Sequence, residues 1–182
     1  MKISVEFERK SMLSLERYTR CLEILSGQTS PIVTMQNNYY YDDADFSLFN
    51  RNETLRVRQI GEALTLEYKH NKSRRGDVRI CEEVAMSISV LPGNILLNSI
   101  ETRMVGSLLT SRIDFLFDMI KVSLDQSIYL GIVDYELEIE TDGDVNLPAF
   151  LSAMLDQNQI PLMGKYRRFI SRLKVLDTTY EI

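Results

Sequence analysis

The sequence predicts an α+β chain that is mainly β, an antiparallel sheet curled or closed on itself with helices packed outside. Three observations predict it. About eight segments read as strands, the gaps between them are too short for parallel crossovers, and only a few stretches carry a helical pattern.

Taken in order, residues 3–9 read as a strand, because Ile3, Val5 and Phe7 alternate with Ser4, Glu6 and Glu8. Residues 14–25 read as a helix with Leu15, Tyr18, Leu22 and Leu25 on one stripe, Ser14 as N-cap and Gly27 past the end. The Tyr-rich stretch 37–42 suggests a second strand. Residues 54–60 and 63–70 form a hairpin across Gly61-Glu62, and 78–89 is strand-like again. Pro92-Gly93 breaks the chain. Residues 95–109 carry a helical apolar spacing through Ile95, Leu96, Ile100, Met104 and Leu108. Strands return at 112–118, 119–125 and 132–140, and helices close the chain at 148–156 and 166–176, with Pro148 suited to a first turn.

Composition narrows the function. The 182 residues include 21 Lys and Arg against 26 Asp and Glu, a net charge of −5, with 45% hydrophobic residues. That is the balance of a soluble globular chain, and its length suits a single domain over 1–182. Net acidity argues against a nucleic-acid partner, whose phosphate backbone needs a surplus of cations. No apolar run approaches the ~18 residues of a membrane span, and the charged opening MKISVEFERK does not resemble a signal peptide. Cys21 and Cys81 match no ligand spacing, which favours a reduced, cytoplasmic setting. Tyr39, Phe46, Leu48 and Phe49 suit either a core or a homodimer interface.

Three motifs carry charge on one face of a strand. In Glu6-Phe7-Glu8-Arg9-Lys10, the residues Glu6, Glu8 and Lys10 share a face, with the carboxylates ~7 Å apart. In Tyr135-Glu136-Leu137-Glu138-Ile139-Glu140 the three glutamates do the same. Each alone is consistent with a wet sheet face. Brought together, Glu6, Glu8, Glu136 and Glu138 would make an all-oxygen site suited to Mg²⁺ or Mn²⁺, and the lone His70 disfavours zinc. In Leu55-Arg56-Val57-Arg58 the two arginines share a face. Lys69, Arg79, Arg112, Lys121, Lys165 and Arg168 lie on later segments. Alternating cations on successive strands can point into a common interior, and such an interior calls for a polyanion.

These residues resemble the CYTH superfamily, the triphosphate tunnel metalloenzymes, which joins class IV adenylate cyclases and thiamine triphosphatases. Glu6-x-Glu8-x-Lys10 matches its ExExK opening, and Gln36-x-Asn38-x-Tyr40-Tyr41-Asp42 is similar to its QxNxYFDT segment, with Asp43 in place of Thr. Leu55-Arg56-Val57-Arg58 resembles its LRxR strand, and Leu64-Thr65-Leu66 its LTLK strand. Leu124-Asp125 through Asp134-Tyr135-Glu136-Leu137-Glu138 looks like the LD…DYELE pattern of the bacterial YjbK-like branch, and Gly164-Lys165-Tyr166-Arg167-Arg168-Phe169 its closing basic segment.

The resemblance implies an eight-stranded antiparallel β-barrel, a tunnel with inward-facing charges that binds a small-molecule triphosphate with Mg²⁺ or Mn²⁺. By position, Glu6, Glu8, Glu136 and Glu138 would hold metal or its water, with Glu6, Glu8 and Glu138 as the catalytic candidates. Lys10, Arg56, Arg58, Lys69, Arg112, Lys165 and Arg168 would grip phosphate. One departure stands out. Glu67 occupies the place of the LTLK lysine, leaving Lys69, on the same strand face, as a displaced substitute or Glu67 as the partner of a nearby arginine. With Arg79, Lys121, Glu83 and Glu140 included, the expected interior holds nine cations and six anions, a net +3 inside an acidic exterior. The expected activity is metal-dependent hydrolysis of tripolyphosphate, thiamine triphosphate or a nucleoside triphosphate. A non-catalytic polyphosphate or nucleotide binder, and cyclisation of ATP to cyclic AMP, are the alternatives.

Overall fold

The computed structural model describes residues 2–143, 145–155 and 163–177. Its strands are β1 (Lys2–Leu13), β2 (Ile32–Asp42), β3 (Glu53–Ile60), β4 (Ala63–Arg75), β5 (Val78–Ile88), β6 (Asn94–Leu97), β7 (Ile100–Phe117), β8 (Ile120–Tyr129) and β9 (Ile132–Thr141). The helices are α1 (Leu15–Ser26), α2 (Ser47–Asn50), α3 (Ala149–Met154) and α4 (Lys165–Asp177). Strand order is β2-β3-β4-β5-β1-β9-β8-β7, and pairing of β2 with β7 closes these eight into an antiparallel barrel. The eight expected strands are the eight barrel strands. β6 is a short addition outside the ring, hairpinned onto β7.

The predicted helix over 95–109 is absent, and the segment is instead β6 and the first half of β7. The chain reverses at Asn98 and Ser99, whose φ angles of 47° and 68° are those of a two-residue hairpin turn. Leu97 pairs with Ile100 directly across it. The apolar spacing misled because Leu96 and Met104 are exposed side chains of strands, so the apparent stripe never forms one buried face. The predicted helix 148–156 is the shorter α3, and position 156 lies outside the described residues.

Closure turns the usual core inside out. Along β8 and β9, Leu124 and Leu137 face outward while Asp125 and Glu138 face in. The main apolar cluster therefore lies between the barrel's outer wall and α1 and α3, around Tyr18, Cys21, Leu25, Phe115, Val122, Leu137, Ile139 and Leu151. Ser14 caps α1, its side chain accepting from Arg17 N at 3.2 Å.

Helix α4 is seated differently. Its Tyr166, Phe169 and Ile170 pack on Tyr40, Leu108 and Tyr129. Gly106 makes this approach possible, because a Cβ there would stand 2.5 Å from the Phe169 ring. Buried Asp42 ties the arrangement together. Its carboxylate accepts from the backbone N–H groups of Leu48 and Phe49 at 3.0 Å each and from the Tyr166 hydroxyl. Leu48 is buried, and Phe46 and Phe49 lie under the cationic ends of Lys174 and Arg167, so these residues are used within the chain.

Candidate functional site

Period-two alternation places the charged member of each strand pair in the lumen. The result is one internal cavity of about 130 Å³ lined from every barrel strand and from the start of α4. Nine cationic side chains reach it: Lys10, Arg56, Arg58, Lys69, Arg79, Arg112, Lys121, Lys165 and Arg167. Seven carboxylates face them: Glu6, Glu8, Glu67, Glu83, Asp125, Glu138 and Glu140. The lining charge is thus +2, in a molecule of net charge −5.

Most of these carboxylates and cations fall into three groups, the first two joined through Lys10, and Lys121 pairs separately with Glu140 at 2.6 Å. In the first, Glu138 accepts from Lys10 at 2.9 Å, from Arg112 at 2.6 Å and from Lys165. Asp125, without solvent exposure, takes the Arg112 guanidinium on both oxygens at 2.7 and 2.5 Å and Lys165 at 2.8 Å. In the second, Lys69 donates to Glu6 at 2.7 Å and to Glu8 at 3.1 Å, and Lys10 reaches the same Glu8 oxygen at 3.1 Å. Arg79 stands 3.7 Å from the other Glu8 oxygen. In the third, on the β3–β4 wall, Glu67 bridges Arg56 at 2.7 Å and Arg58 at 3.3 Å, and Glu83 lies 3.9 Å from Arg56.

These contacts set the protonation states. Burial works against the Glu8 carboxylate, but Lys10 and Lys69 outweigh it and hold its pKa at about 2. Burial likewise opposes ionisation of Glu138, yet Lys10, Lys165 and Arg112 hold it well below the usual carboxylate range. Lys10 answers with a pKa well above an ordinary lysine: desolvation opposes its charge, and Glu138 and Glu8 overcome that. Glu83 runs the other way, pushed up by burial against the pull of Arg56. Burial, then the adjacent Glu8, raises the Cys81 thiol to about 12, which leaves no thiolate for nucleophilic chemistry.

Most residues expected at the site meet in this cavity. Glu6, Glu8, Lys10, Arg56, Arg58, Lys69, Arg112, Glu138 and Lys165 line it, as do the weaker candidates Arg79, Glu83, Lys121 and Glu140. Glu136 and Arg168 share the strand or helix of the site but do not reach the cavity wall. Arg168 donates to Glu136 and Asp134 at 2.9 Å each, and Lys165 lies over Glu136 at 2.8 Å. Of the two alternatives for Glu67, the arginine partnership is the one formed, and Lys69 turns away to the β1 glutamates. Sequence reasoning missed Asp125 as a site residue, along with Gln36, Asn38, Tyr40 and Thr110 on the lining. Leu124-Asp125 belongs to the family pattern, but its role at the site follows from the β7–β8 register, which sets Asp125 opposite Arg112.

The acidic residues suit a divalent cation by donor type. All are carboxylates, and buried Glu136 Oε1 has no hydrogen-bond partner, a free hard acceptor beside the cation cluster. Among the described residues, however, no three His, Cys, Asp or Glu side chains converge on one point, and the Lys69 and Lys10 ammoniums hold the oxygens of Glu6, Glu8 and Glu138. Among the same residues, no helix is long and apolar enough to cross a membrane.

The CYTH domain family matches residues 4–167. The Bacillus subtilis protein named "Putative triphosphatase YjbK" is 27% identical over 177 residues, covering 88% of this chain and 90% of its own. Among solved structures, a Bacillus halodurans protein described as "a putative adenylate cyclase" superposes with a TM-score of 0.72 at 24% identity, over 93% of this chain and 99% of its own. The Hippeastrum protein HpAC1, described as a "putative adenylyl cyclase" with "a dominant triphophatase activity", gives 0.72 at 17% identity, over 92% and 95%.

Proposed function

This chain belongs to the CYTH domain family, and from that premise we propose that its barrel binds a small triphosphate and hydrolyses it at the terminal anhydride. One observation carries the reading: nine cations from across the barrel face one cavity in its interior that seven carboxylates do not neutralise. A cationic interior of this kind is costly unless a polyanion completes it. The B. subtilis relative's name and the activity described for HpAC1 point the same way.

In this reading Lys10, Arg56, Arg58, Lys69, Arg112 and Lys165 bind and orient the phosphates, with guanidiniums offering forks and ammoniums point charges. Arg168 acts through Glu136 and Asp134 rather than on phosphate, so it is a positioning residue. Glu6, Glu8 and Glu138, which line the cavity, are the residues that would hold Mg²⁺ or Mn²⁺, and the metal would neutralise phosphate charge and polarise a phosphoryl oxygen; Glu136, the fourth residue expected there, lies behind Lys165 and Arg168. Ligand entry would draw Lys69 and Lys10 from carboxylates to phosphate oxygens and free Glu6 and Glu8. Because Glu8 and Glu138 stay ionised at neutral pH and bind protons weakly, they serve by accepting hydrogen bonds from the attacking water, and hold it in line with the terminal phosphorus. Water adds to that phosphorus as the bridging P–O bond breaks, the bridging oxygen leaves with the diphosphate fragment, and the proton lost by the water passes to a phosphate oxygen of the products, releasing inorganic phosphate. We place the reaction in the cytoplasm, a reading that Cys21 and Cys81, which form no disulfide, support.

The non-catalytic binding module stands second, and the observation favouring it is Glu67 already holding Arg56 and Arg58. A malachite-green panel separates the two readings, using tripolyphosphate, thiamine triphosphate and ATP with Mg²⁺, Mn²⁺ or EDTA. Phosphate release that EDTA and Glu6→Ala each abolish supports hydrolysis. Tight binding without release in any metal would replace it with the binder, and cyclic AMP from ATP with the cyclase.

A further inference from the structure

The β3–β4 wall of the cavity is electrically closed before any ligand arrives. Glu67 is only 4% exposed, and its two oxygens are taken by two different guanidiniums, Arg56 at 2.7 Å and Arg58 at 3.3 Å. An anion with two oxygens bridging two arginine forks is how a phosphate would sit there. Glu83 adds a second carboxylate 3.9 Å from Arg56, so two cations face two anions on this wall. Lys69, two residues along β4 and on the same face, is turned away to Glu6 and Glu8. The opposite side differs in kind: Lys10, Arg112 and Lys165 meet Asp125 and Glu138 there, with Glu8 also on Lys10, and each of Glu138 and Asp125 is shared by two or more cations.

Resting on the proposed triphosphate reading, we propose that Glu67 is a specificity-determining residue, a resident anion that selects a triphosphate monoester over inorganic tripolyphosphate. The two ligands differ at one end. A terminal phosphate carries two ionisable oxygens, whereas an esterified phosphate carries one and continues into an uncharged or cationic organic group. Against a fixed, buried carboxylate the doubly charged end meets like-charge repulsion at short range, in a medium that screens poorly. The ester end meets half of it and leaves Glu67 on its arginines. The fully charged end of the ester then lies toward Lys10, Arg112 and Lys165.

The test is calorimetric binding of inorganic tripolyphosphate and of a non-hydrolysable ATP analogue, in Mg²⁺ and in EDTA, to wild type, Glu67→Gln, Arg58→Gln and Glu82→Gln. Glu82 faces outward and pairs with Lys72, so its substitution makes the same charge change away from the cavity. Urea melts establish that each variant is folded. Wild type should prefer the ester. Glu67→Gln should tighten tripolyphosphate about tenfold and the ester less than about threefold, shifting the ratio toward tripolyphosphate. Arg58→Gln, which leaves Glu67 less compensated, should shift it the other way, and Glu82→Gln should leave both affinities unchanged. Equal tightening of both ligands by Glu67→Gln, or a wild type that already prefers tripolyphosphate, overturns the inference while leaving triphosphate binding intact. Absence of binding by wild type and every variant overturns the triphosphate reading as well.

Discussion

Replacing Asp125 with Asn tests whether the interior is a balanced charge network. Asp125 has no solvent exposure, accepts both arms of Arg112 at 2.7 and 2.5 Å, and lies 2.8 Å from Lys165. Asn preserves the shape but removes the charge, leaving Arg112 to Glu138, which Lys10 also holds, and Lys165 to Glu138 and Glu136. Breaking a buried pair from one side costs about 3–5 kcal/mol. Asp125 also lies in the field of Glu138, which opposes its ionisation, and relief of that repulsion places the cost near the lower figure, about 3 kcal/mol. For a chain of this length that is a fall in Tm of roughly 6–12 °C. The assay is urea and thermal unfolding followed by circular dichroism at pH 7, with and without saturating tripolyphosphate. The uncompensated cations should gain more from a polyanion, so tripolyphosphate should raise the Tm of D125N further than that of wild type. A destabilisation below about 1 kcal/mol, or an identical ligand-induced shift in both proteins, would refute the reasoning.

Other outcomes follow from the same geometry. Glu8 is held at about 2 against an ordinary 4.5, so between those values the unfolded chain binds more protons than the folded one. Its contribution, at most about 3 kcal/mol, is complete above pH 4.5 and is lost as pH falls toward 2; Glu8→Gln should flatten that acid limb in urea titrations at stepped pH. Gly106→Ala forces a Cβ to within 2.5 Å of the Phe169 ring at a φ of +150°, and should cost about 1–3 kcal/mol in a denaturant melt. Lys165→Met removes the ammonium that touches Asp125, Glu136 and Glu138, and should weaken tripolyphosphate binding at least about tenfold by calorimetry.

Legibility in the sequence followed the regularity of each signal. The barrel strands could be read because charged and apolar residues alternate so strictly in Glu6-Phe7-Glu8, Arg56-Val57-Arg58 and Glu136-Leu137-Glu138 that only a strand separates the two sets. Residues 95–109 could not, since apolar residues spaced three and four apart also fit two exposed strands about a turn, and the deciding feature was Asn98-Ser99. Asp125 was obscure for a different reason. It stands alone between Leu124 and Gln126, and its importance comes from a partner thirteen residues away that only strand register supplies. Strand parity correctly put Glu136 on the same side as Glu138. Parity carries no information about α4, which brings Lys165 and Arg168 over Glu136 and separates it from the cavity. Parity also placed Glu67 and Lys69 on one face without showing that they would turn to different partners.

Pairing of β1 with β9 joins Lys10 to Glu138 across 128 residues of chain. Such long-range closure is slow to form, because the entropy of bringing distant segments together is lost before the contacts that reward it are made. Until β9 docks, Lys10, Arg56, Arg58 and Arg112 have been synthesised without the Glu136 and Glu138 carboxylates. The luminal face of the nascent sheet then lies open to water, with Lys10, Arg56, Arg58 and Arg112 beside Glu8, Glu67 and Asp125. Closure of the ring withdraws that surface into the lumen, where only a small anion can follow it.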